Sequence, residues 1–503
     1  MSVATLGQRL SARCLGVLPA RLRTAGALTV LFLLIGLALR VYGYLRNPSL
    51  WHDEAALVLN VLGKDFADLL GPLFFSEAAP PLFLWVERAV VLLLGDSTYA
   101  LRLLPFLAGC GALLLFLPLA RRLLSPAAVP WAVLLFALND HLLWHAGEAK
   151  PYSIDVLAAT ALPVIWAATR GWNLPRQLLL FAAVAPLVVF LVYPGCFLLG
   201  GLMLALLSAL WRERARPRPW LAYGALALSV GAAFVLLYLG PARAQRNLQM
   251  EACWVAGFPP WGRGWWAVPA WVLKSTLDGL CYCCAPAGNV LVVPLVVGAI
   301  GLWRGGERAA VVLLLAPLGL ALVASFLGGY PYFGGRVLVY ITPAVVLLIA
   351  AGVPPALAWL LARSRWAAAG LVGLLLAAAG TVAYNTAFPY GRPDVAAASR
   401  YVLAERRPGD VVRGNAWEDN YYFRHLGSGF IAEGTSSSAP VGRLWLVVIA
   451  ATPQEREGTL RDLAPDGWEW VRRREFYRTT VLLVQAPGAT AQARHGAPGG
   501  PHE

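Results

Sequence analysis

The chain has little charge for its length. Only 14% of its 503 residues are Asp, Glu, Lys or Arg, whereas 59% are hydrophobic. Soluble domains usually carry about 25% charged residues, so this composition argues against a soluble protein and indicates a polytopic membrane protein. Lys and Arg outnumber Asp and Glu by 41 to 27. These cations form short clusters between apolar runs instead of one basic face, which argues against nucleic-acid binding.

Motifs for nucleotides and metals are also missing. There is no Gly-x-x-x-x-Gly-Lys-Ser/Thr loop, no Gly-x-Gly-x-x-Gly opening a helix and no Asp-x-Asp pair. The Cys281-Tyr-Cys-Cys284 cluster lacks a second cysteine pair and nearby histidines, so no metal site is predicted. An oxidising compartment would permit a disulfide between Cys253 and this cluster without requiring one. An energy-rich substrate must therefore arrive already activated, most simply as a lipid phosphate.

Long apolar runs are what the chain has instead. A membrane-spanning helix takes about 20 residues. Suitable runs cover residues 25–45, 101–120, 128–146, 152–169, 177–193, 195–211, 219–240, 288–304, 308–327, 336–361 and 367–386. With a cytoplasmic N-terminus, every basic cluster between them falls on the cytoplasmic side. The shorter run 80–95 contains Glu87 and Arg88 and is predicted to lie along the outer interface.

Composition changes abruptly after the last apolar run. A helix capped by Asp394, strands beginning at 411 and over 444–450 and 480–485, and a helix near 453–463 predict a small α/β domain. The fold class is therefore a polytopic α-helical membrane protein, with about 11–13 transmembrane helices and a C-terminal extracytoplasmic α/β domain. The predicted division is a cytoplasmic segment 1–24, a transmembrane domain 25–387 with an outer loop 46–100, a soluble domain 388–487 and a disordered tail 488–503.

The stretch Trp51-His52-Asp53-Glu54 lies in the predicted outer loop. Two carboxylates at a membrane boundary require an explanation. The simplest is a polar helix cap, with Asp53 at the start of a helix. Their position beside His52 and beneath a predicted soluble domain favours a catalytic role instead, because a carboxylate partly shielded from water is a competent general base.

Two further stretches carry charge on the predicted outer side. Glu148, Lys150 and Tyr152 occupy a short loop between two spans, which is either an ion-paired loop or a site for a phosphate and a sugar hydroxyl. Arg336 follows Gly334-Gly335 and begins a span outside, against the positive-inside trend. An arginine that extends its side chain to the membrane interface would give the same sequence pattern. A guanidinium flanked by glycines also suits a lipid phosphate.

In this order the motifs resemble those of the GT-C fold glycosyltransferases that use polyprenyl-phosphate sugars, which include protein O-mannosyltransferases and aminoarabinose transferases. The resemblance rests on Asp53-Glu54, on Pro80-Pro81-Leu82, on Leu101-Arg102-Leu103-Leu104-Pro105 and on Glu148-Ala-Lys-Pro-Tyr152. It covers about the first 170 residues. The chain has Ala79 where protein O-mannosyltransferases tend to have histidine, and it lacks their β-trefoil insertion, so the acceptor is left open.

The resemblance implies a glycosyltransferase of the cytoplasmic membrane that moves a sugar from a polyprenyl phosphate to a hydroxyl acceptor of the cell envelope. Asp53 would be the general base, with Glu54 as its catalytic neighbour. The residues implied in substrate binding are His52, Arg102, Glu148, Lys150, Tyr152 and Arg336. The resemblance implies no certain cofactor and leaves a divalent metal open. The alternatives are a transporter or flippase that uses these carboxylates for coupling, and a membrane-anchored sensor.

Overall fold

The computed structural model describes residues 3–432 and 442–487, with side chains from residue 24 onward. Two compact units emerge. The first contains Met1–Arg46 and Lys64–Pro389, and the second contains Asn47–Gly63 and Tyr390–Glu503. The stretch Trp51-His52-Asp53-Glu54 therefore belongs to the second unit, with the C-terminal residues. The tail 488–503 lies outside the described residues, so its predicted disorder stays a prediction.

Helices dominate the chain. In chain order they are α1 (Val3–Arg46), α2 (His52–Gly63), α3 (Pro81–Leu94), α4 (Thr98–Leu123), α5 (Val129–Ala137), α6 (Asp140–Ala146), α7 (Tyr152–Ala168), α8 (Leu174–Leu191), α9 (Gly195–Arg212), α10 (Pro217–Leu237), α11 (Arg243–Gln245), α12 (Leu248–Cys253), α13 (Ala267–Cys283), α14 (Val292–Arg304), α15 (Arg308–Phe326), α16 (Thr342–Leu361), α17 (Arg365–Ala387), α18 (Val395–Glu405), α19 (Trp417–Tyr422) and α20 (Pro453–Leu463). A 3₁₀ helix, Arg336–Ile341, leads into α16.

The first unit is built from apolar helices. Within residues 3–432 and 442–487, eight helices are long and apolar enough to cross a membrane: Thr24–Arg46, Thr98–Leu123, Leu174–Leu191, Gly195–Arg212, Pro217–Gln245, Arg308–Phe326, Arg336–Leu361 and Arg365–Ala387. Two shorter apolar helices are α7 and α14. The predicted polytopic helical class is confirmed.

The apolar run 128–146 does not form the single helix that the sequence predicts. Helix α5 ends at Ala137 and α6 begins at Asp140. The Asn139 side chain accepts from the Leu142 amide at 3.1 Å and donates to the Cys283 carbonyl at 2.7 Å. The Arg40 guanidinium donates to the Ala137 carbonyl at 3.2 Å. The break is stable because these side chains satisfy the backbone groups that it exposes.

Helix α3 begins at Pro81, a residue well suited to the first helical turn. Its predicted existence is confirmed, and it is not among the helices that could span a membrane. Glu87 on this helix is buried, and neither carboxylate oxygen has a hydrogen-bond partner among the described residues. Burial raises the pKa of Glu87 well above its usual range, because the apolar surroundings disfavour the charged form.

The second unit contains a five-stranded sheet. Its strands are β1 (Val411–Gly414), β2 (Phe430–Ile431), β3 (Arg443–Ile449), β4 (Glu469–Phe476) and β5 (Thr479–Gln485), in the spatial order β2-β1-β3-β5-β4. Strands β2, β1 and β3 are parallel, whereas β5 runs antiparallel to both β3 and β4. The predicted α/β character of this region is confirmed, including the helix near 453–463, which is α20.

Alternating residues of the central strands pack on opposite faces of the sheet. Trp445 and Val447 face the core that includes Ala398 and Val402 of α18. Leu444 and Leu446 face the core that includes Leu460 of α20. Strand β4 was missed from the sequence because nearly all of it is exposed, so it lacks the apolar pattern of a buried strand.

Candidate functional site

Asp53 and Glu54 lie in the first turn of α2. Carboxylates are favoured there because the N-terminus of a helix carries partial positive charge. Glu54 is 0% exposed, and its carboxylate accepts a hydrogen bond from the Arg392 guanidinium at 2.6 Å. Asp53 is half-buried. The adjacent carboxylates therefore differ in environment, with Glu54 enclosed and Asp53 nearer to the surface.

The chain just before α2 is held by the C-terminal part of the same unit. The Ser49 hydroxyl donates to Asp394 at 3.3 Å and accepts from the Ala396 amide at 3.2 Å. The Leu50 amide donates to the Tyr422 hydroxyl at 2.9 Å. These bonds, together with Arg392, fix the backbone that leads into Asp53.

His52 lies against α19. Its ring stacks on the indole of Trp417, with the ring centroids 3.8 Å apart and the planes 16° from parallel. Its Nδ1 atom is 3.5 Å from the buried Glu418 carboxylate, and half of the side chain is exposed. His52 thus joins an aromatic surface to a carboxylate, an arrangement suited to contact a polar ring with hydroxyl groups.

A second polar cluster lies in the first unit, around the turn between α6 and α7. The Glu148 carboxylate accepts from the Trp144 indole N–H and lies 3.3 Å from His145 Nδ1. The other ring nitrogen of His145 is 2.7 Å from the Tyr282 hydroxyl. Burial raises the pKa of Tyr282, and the nearby Glu148 charge raises it further. Tyr282 is therefore neutral and able to donate its proton in a hydrogen bond.

Tyr152 and Arg336 adjoin this cluster. The rings of His145 and Tyr152 are 4.7 Å apart. The Arg336 guanidinium lies 5.7 Å from the Tyr152 ring centroid and 5.7 Å from that of Trp254. Glu148 and Tyr152 come from one stretch of the sequence and Arg336 from a distant one. They meet through shared contacts, since His145 adjoins both Glu148 and Tyr152, and Tyr152 adjoins Arg336.

The side chain of Lys150 binds a different partner from those of Glu148, although only Ala149 separates the two residues. Its ammonium group, which is buried, donates to the Glu77 carboxylate. The adjacent loop is held by Gln245, which bonds both backbone groups of Ala79 at 3.1 Å and also binds the Tyr193 hydroxyl. Burial raises the pKa of Tyr193, and the nearby Glu77 charge adds to the shift.

Three further expectations from the sequence concern Arg102, a metal site and a disulfide. Arg102 is buried in the first turn of α4, only 1% exposed, and its role in substrate binding stays a prediction. Within residues 3–432 and 442–487, no group of three or more His, Cys, Asp or Glu side chains is arranged to hold a metal ion. Cys253, Cys281, Cys283 and Cys284 are free thiols, so the disulfide that the sequence permits is not formed.

Three partners were missed by reasoning from the sequence. Nothing in the sequence marks Tyr282 as a functional residue except its position in an aromatic segment. Glu77 stands shortly before the Pro80-Pro81 pair, inside the loop already singled out, so its charge and location were a usable signal. Arg392 was hidden because no local pattern connects it with Glu54, 338 residues earlier.

No known protein-family profile matches the chain, and no curated protein matches it in sequence. Solved structures do match. ArnT from Cupriavidus metallidurans, bound to undecaprenyl phosphate, aligns over 90% of this chain and 97% of its own length, with a TM-score of 0.52 and 13% identity. The fold is of the GT-C type. The oligosaccharyltransferase of Archaeoglobus fulgidus, in complex with zinc and sulfate, aligns over 81% of this GT-C chain and 62% of its own, with a TM-score of 0.48 and 15% identity.

Proposed function

We propose that this protein is an integral-membrane glycosyltransferase that moves a sugar from a polyprenyl phosphate to a hydroxyl acceptor. The observation that carries the proposal is the polar cluster of Glu148, Tyr152, Arg336 and Tyr282, built within a GT-C fold. The structure of ArnT that resembles this chain along nearly its whole length contains undecaprenyl phosphate. We further propose that the enzyme lies in the cytoplasmic membrane, with its N-terminus in the cytoplasm.

Lys150 and Arg336 are the proposed ligands of the donor phosphate. An ammonium and a guanidinium both donate charged hydrogen bonds to phosphate oxygens, and the guanidinium offers them in a planar fork. The aromatic rings of Tyr152 and Trp254 beside Arg336 orient the guanidinium and shield it from water. Charge that develops on the leaving phosphate would be stabilised by these two cations.

Glu148 is the proposed ligand of sugar hydroxyls. Its carboxylate is oriented by Trp144 and His145, and His145 is in turn oriented by Tyr282. Such a carboxylate retains the capacity to accept further hydrogen bonds. A hydroxylated ring bound there would be recognised through its hydroxyl groups.

Asp53 is the proposed general base. It accepts the proton of the acceptor hydroxyl while the hydroxyl oxygen forms a bond to the anomeric carbon of the sugar. The bond from that carbon to the phosphate oxygen breaks, and the lipid phosphate leaves with the electron pair. Glu54 does not exchange protons in this scheme, and its carboxylate is bound by the Arg392 guanidinium. It positions the helix turn that carries Asp53.

The test is transfer of a labelled sugar from a polyprenyl phosphate in membranes that contain the full chain. General-base catalysis contributes about 10²–10⁴-fold in rate, so we expect Asp53→Asn to lower turnover by that factor. The matched control is Asp68→Asn, which makes the same change of charge at an exposed position and should leave turnover unaltered. Normal turnover by the Asp53→Asn enzyme would exclude Asp53 as the base.

A transporter is the second candidate, and buried acids in the first unit favour it. Neither carboxylate oxygen of Glu87 has a hydrogen-bond partner among the described residues, and the same holds for Oδ1 of Asp155. Buried acids in membrane proteins often relay protons. Purified protein in liposomes distinguishes the two functions, because a transporter moves a lipid-linked solute without forming a new glycosidic bond. For a transporter, Glu87→Gln should stop this movement.

A further inference from the structure

The Lys150–Glu77 ion pair occupies the place proposed for the donor phosphate. The Lys150 side chain is 3% exposed and that of Glu77 is 15% exposed. A buried ammonium is costly unless an opposite charge accompanies it. Glu77 therefore supplies the countercharge for the buried ammonium group of Lys150.

The loop that carries Glu77 has an unusual backbone. Two successive residues other than glycine, Phe75 and Ser76, adopt left-handed conformations, with φ of 62° and 50°. Such conformations persist only where surrounding contacts impose them, and they concentrate at functional sites. Here the contacts are from Ser76 Oγ to the Gln249 side chain at 2.8 Å and from Gln245 to Ala79. Glu77 lies between these two anchors.

We infer that Glu77 is an internal counter-anion, which the donor phosphate displaces from Lys150 and which therefore sets the affinity for lipid phosphate. The inference rests on the proposed function, since it assumes that Lys150 binds that phosphate. A carboxylate and a phosphate compete for the same ammonium group. While Glu77 remains in contact, the pair has no net charge to attract a phosphate, and the carboxylate repels one.

The competition affects the end of the reaction as well as its beginning. After transfer, the spent lipid phosphate remains beside Lys150 and must leave before another donor binds. Return of Glu77 to Lys150 replaces one anionic partner by another, so the buried ammonium is never left without a countercharge. Glu77 thereby weakens the binding of the product and speeds its release.

The experiment measures binding of sugar-free polyprenyl phosphate to the purified full chain, by equilibrium binding and by dissociation rate. We expect Glu77→Gln to bind about tenfold more tightly than the wild type, mainly through slower dissociation. Glu77→Asp should fall between them, because its shorter side chain retains the charge but withdraws it from Lys150. Lys150→Met should bind more weakly than the wild type.

Glu251→Gln is the matched control. Glu251 pairs with Arg246 on an exposed surface of the same unit, so this variant changes the net charge equally without touching Lys150, and its affinity should equal that of the wild type. A Glu77→Gln affinity equal to or weaker than that of the wild type would overturn the inference while leaving the proposed function intact. Failure of the wild type to bind any polyprenyl phosphate would overturn both.

Loss of folding in Glu77→Gln is checked by thermal unfolding with and without the lipid. A ligand that binds only the folded state stabilises it by RT ln(1 + [L]/Kd), so tighter binding gives a larger stabilisation at the same lipid concentration. A larger rise in midpoint on adding polyprenyl phosphate to Glu77→Gln than to the wild type supports displacement. An equal or smaller rise contradicts it.

Discussion

Glu54 and Glu148 invite comparison because both are buried glutamates close to a histidine and a tryptophan, yet their carboxylates are held in different ways. Glu54 binds a charged guanidinium supplied by Arg392, 338 residues away. Glu148 binds an indole N–H and an imidazole supplied by Trp144 and His145, four and three residues away. One carboxylate depends on a distant cation and the other on residues at the end of the helix that precedes it.

The difference shows how two similar stretches acquire different sensitivities to mutation. Breaking a buried ion pair strands the remaining charge in a nonpolar environment. Removing the charge from a carboxylate that binds mainly neutral donors leaves those donors able to bond to an amide oxygen. The same substitution at the two positions should therefore have unequal effects.

The largest expected effect comes from Glu54→Gln. The variant removes the buried carboxylate that binds the Arg392 guanidinium, so we expect the free energy of unfolding to fall by about 3–5 kcal/mol. Thermal unfolding of the full chain in detergent measures this. Neutralising both partners, as Glu54→Gln with Arg392→Met, should restore much of the loss. If Glu54→Gln is as stable as the wild type, the ion pair contributes nothing to holding the segment that precedes α2.

A smaller effect is expected from Glu148→Gln. The amide oxygen still accepts from the Trp144 N–H, so the free energy of unfolding should fall by about 1 kcal/mol, the usual net value of one hydrogen bond. The measurement is the same thermal unfolding, made beside Glu54→Gln. Sugar transfer should nevertheless fall sharply if Glu148 binds the sugar. Equal destabilisation by both variants would show that the Glu54 and Glu148 carboxylates contribute equally to stability.

The smallest effect is expected at Glu457 on α20. A hydrogen bond from Arg473 holds the pKa of Glu457 below its usual range. Because the folded state favours the carboxylate, the pair adds stability above the ordinary glutamate pKa and loses it as pH falls through the lowered value. Thermal unfolding of Glu457→Gln should therefore differ only slightly from the wild type at pH 7, and the difference should vanish in strong acid. A larger change at pH 7 than that of Glu148→Gln would contradict this ranking.

Much of the fold could be predicted because its signals are local. Apolar runs of about 20 residues form helices wherever they occur, and α20 was expected from its own pattern at 453–463. The break at Asn139 was missed since it is stabilised from outside the run, by Arg40 and by the Cys283 carbonyl. Strand β4 was missed because its pairing with β5 defines it, whereas its exposed sequence carries no strand period.

In the candidate site, too, the residues could be predicted from local sequence, whereas their partners could not. Glu148, Tyr152 and Arg336 were singled out from the sequence as polar residues at the predicted outer ends of apolar helices, and tertiary packing then brought them together. The role of Asp53 stays a prediction, as do the donor and the acceptor. The pairing of Glu54 with Arg392 and that of Glu77 with Lys150 could not be predicted, because a glutamate and a basic residue far apart in the chain show no sign that they pair.

The sequence by itself determined that this chain forms a bundle of apolar helices with an α/β unit, and it marked the acidic stretches where chemistry is expected. It could do so because apolar length, strand period and helix caps act over a few turns of chain. Only the tertiary structure decided that Glu54 is neutralised by Arg392 and Lys150 by Glu77, across 338 and 73 residues. Burial makes an unpaired charge costly, so the folded chain, and not the local sequence, selects each partner.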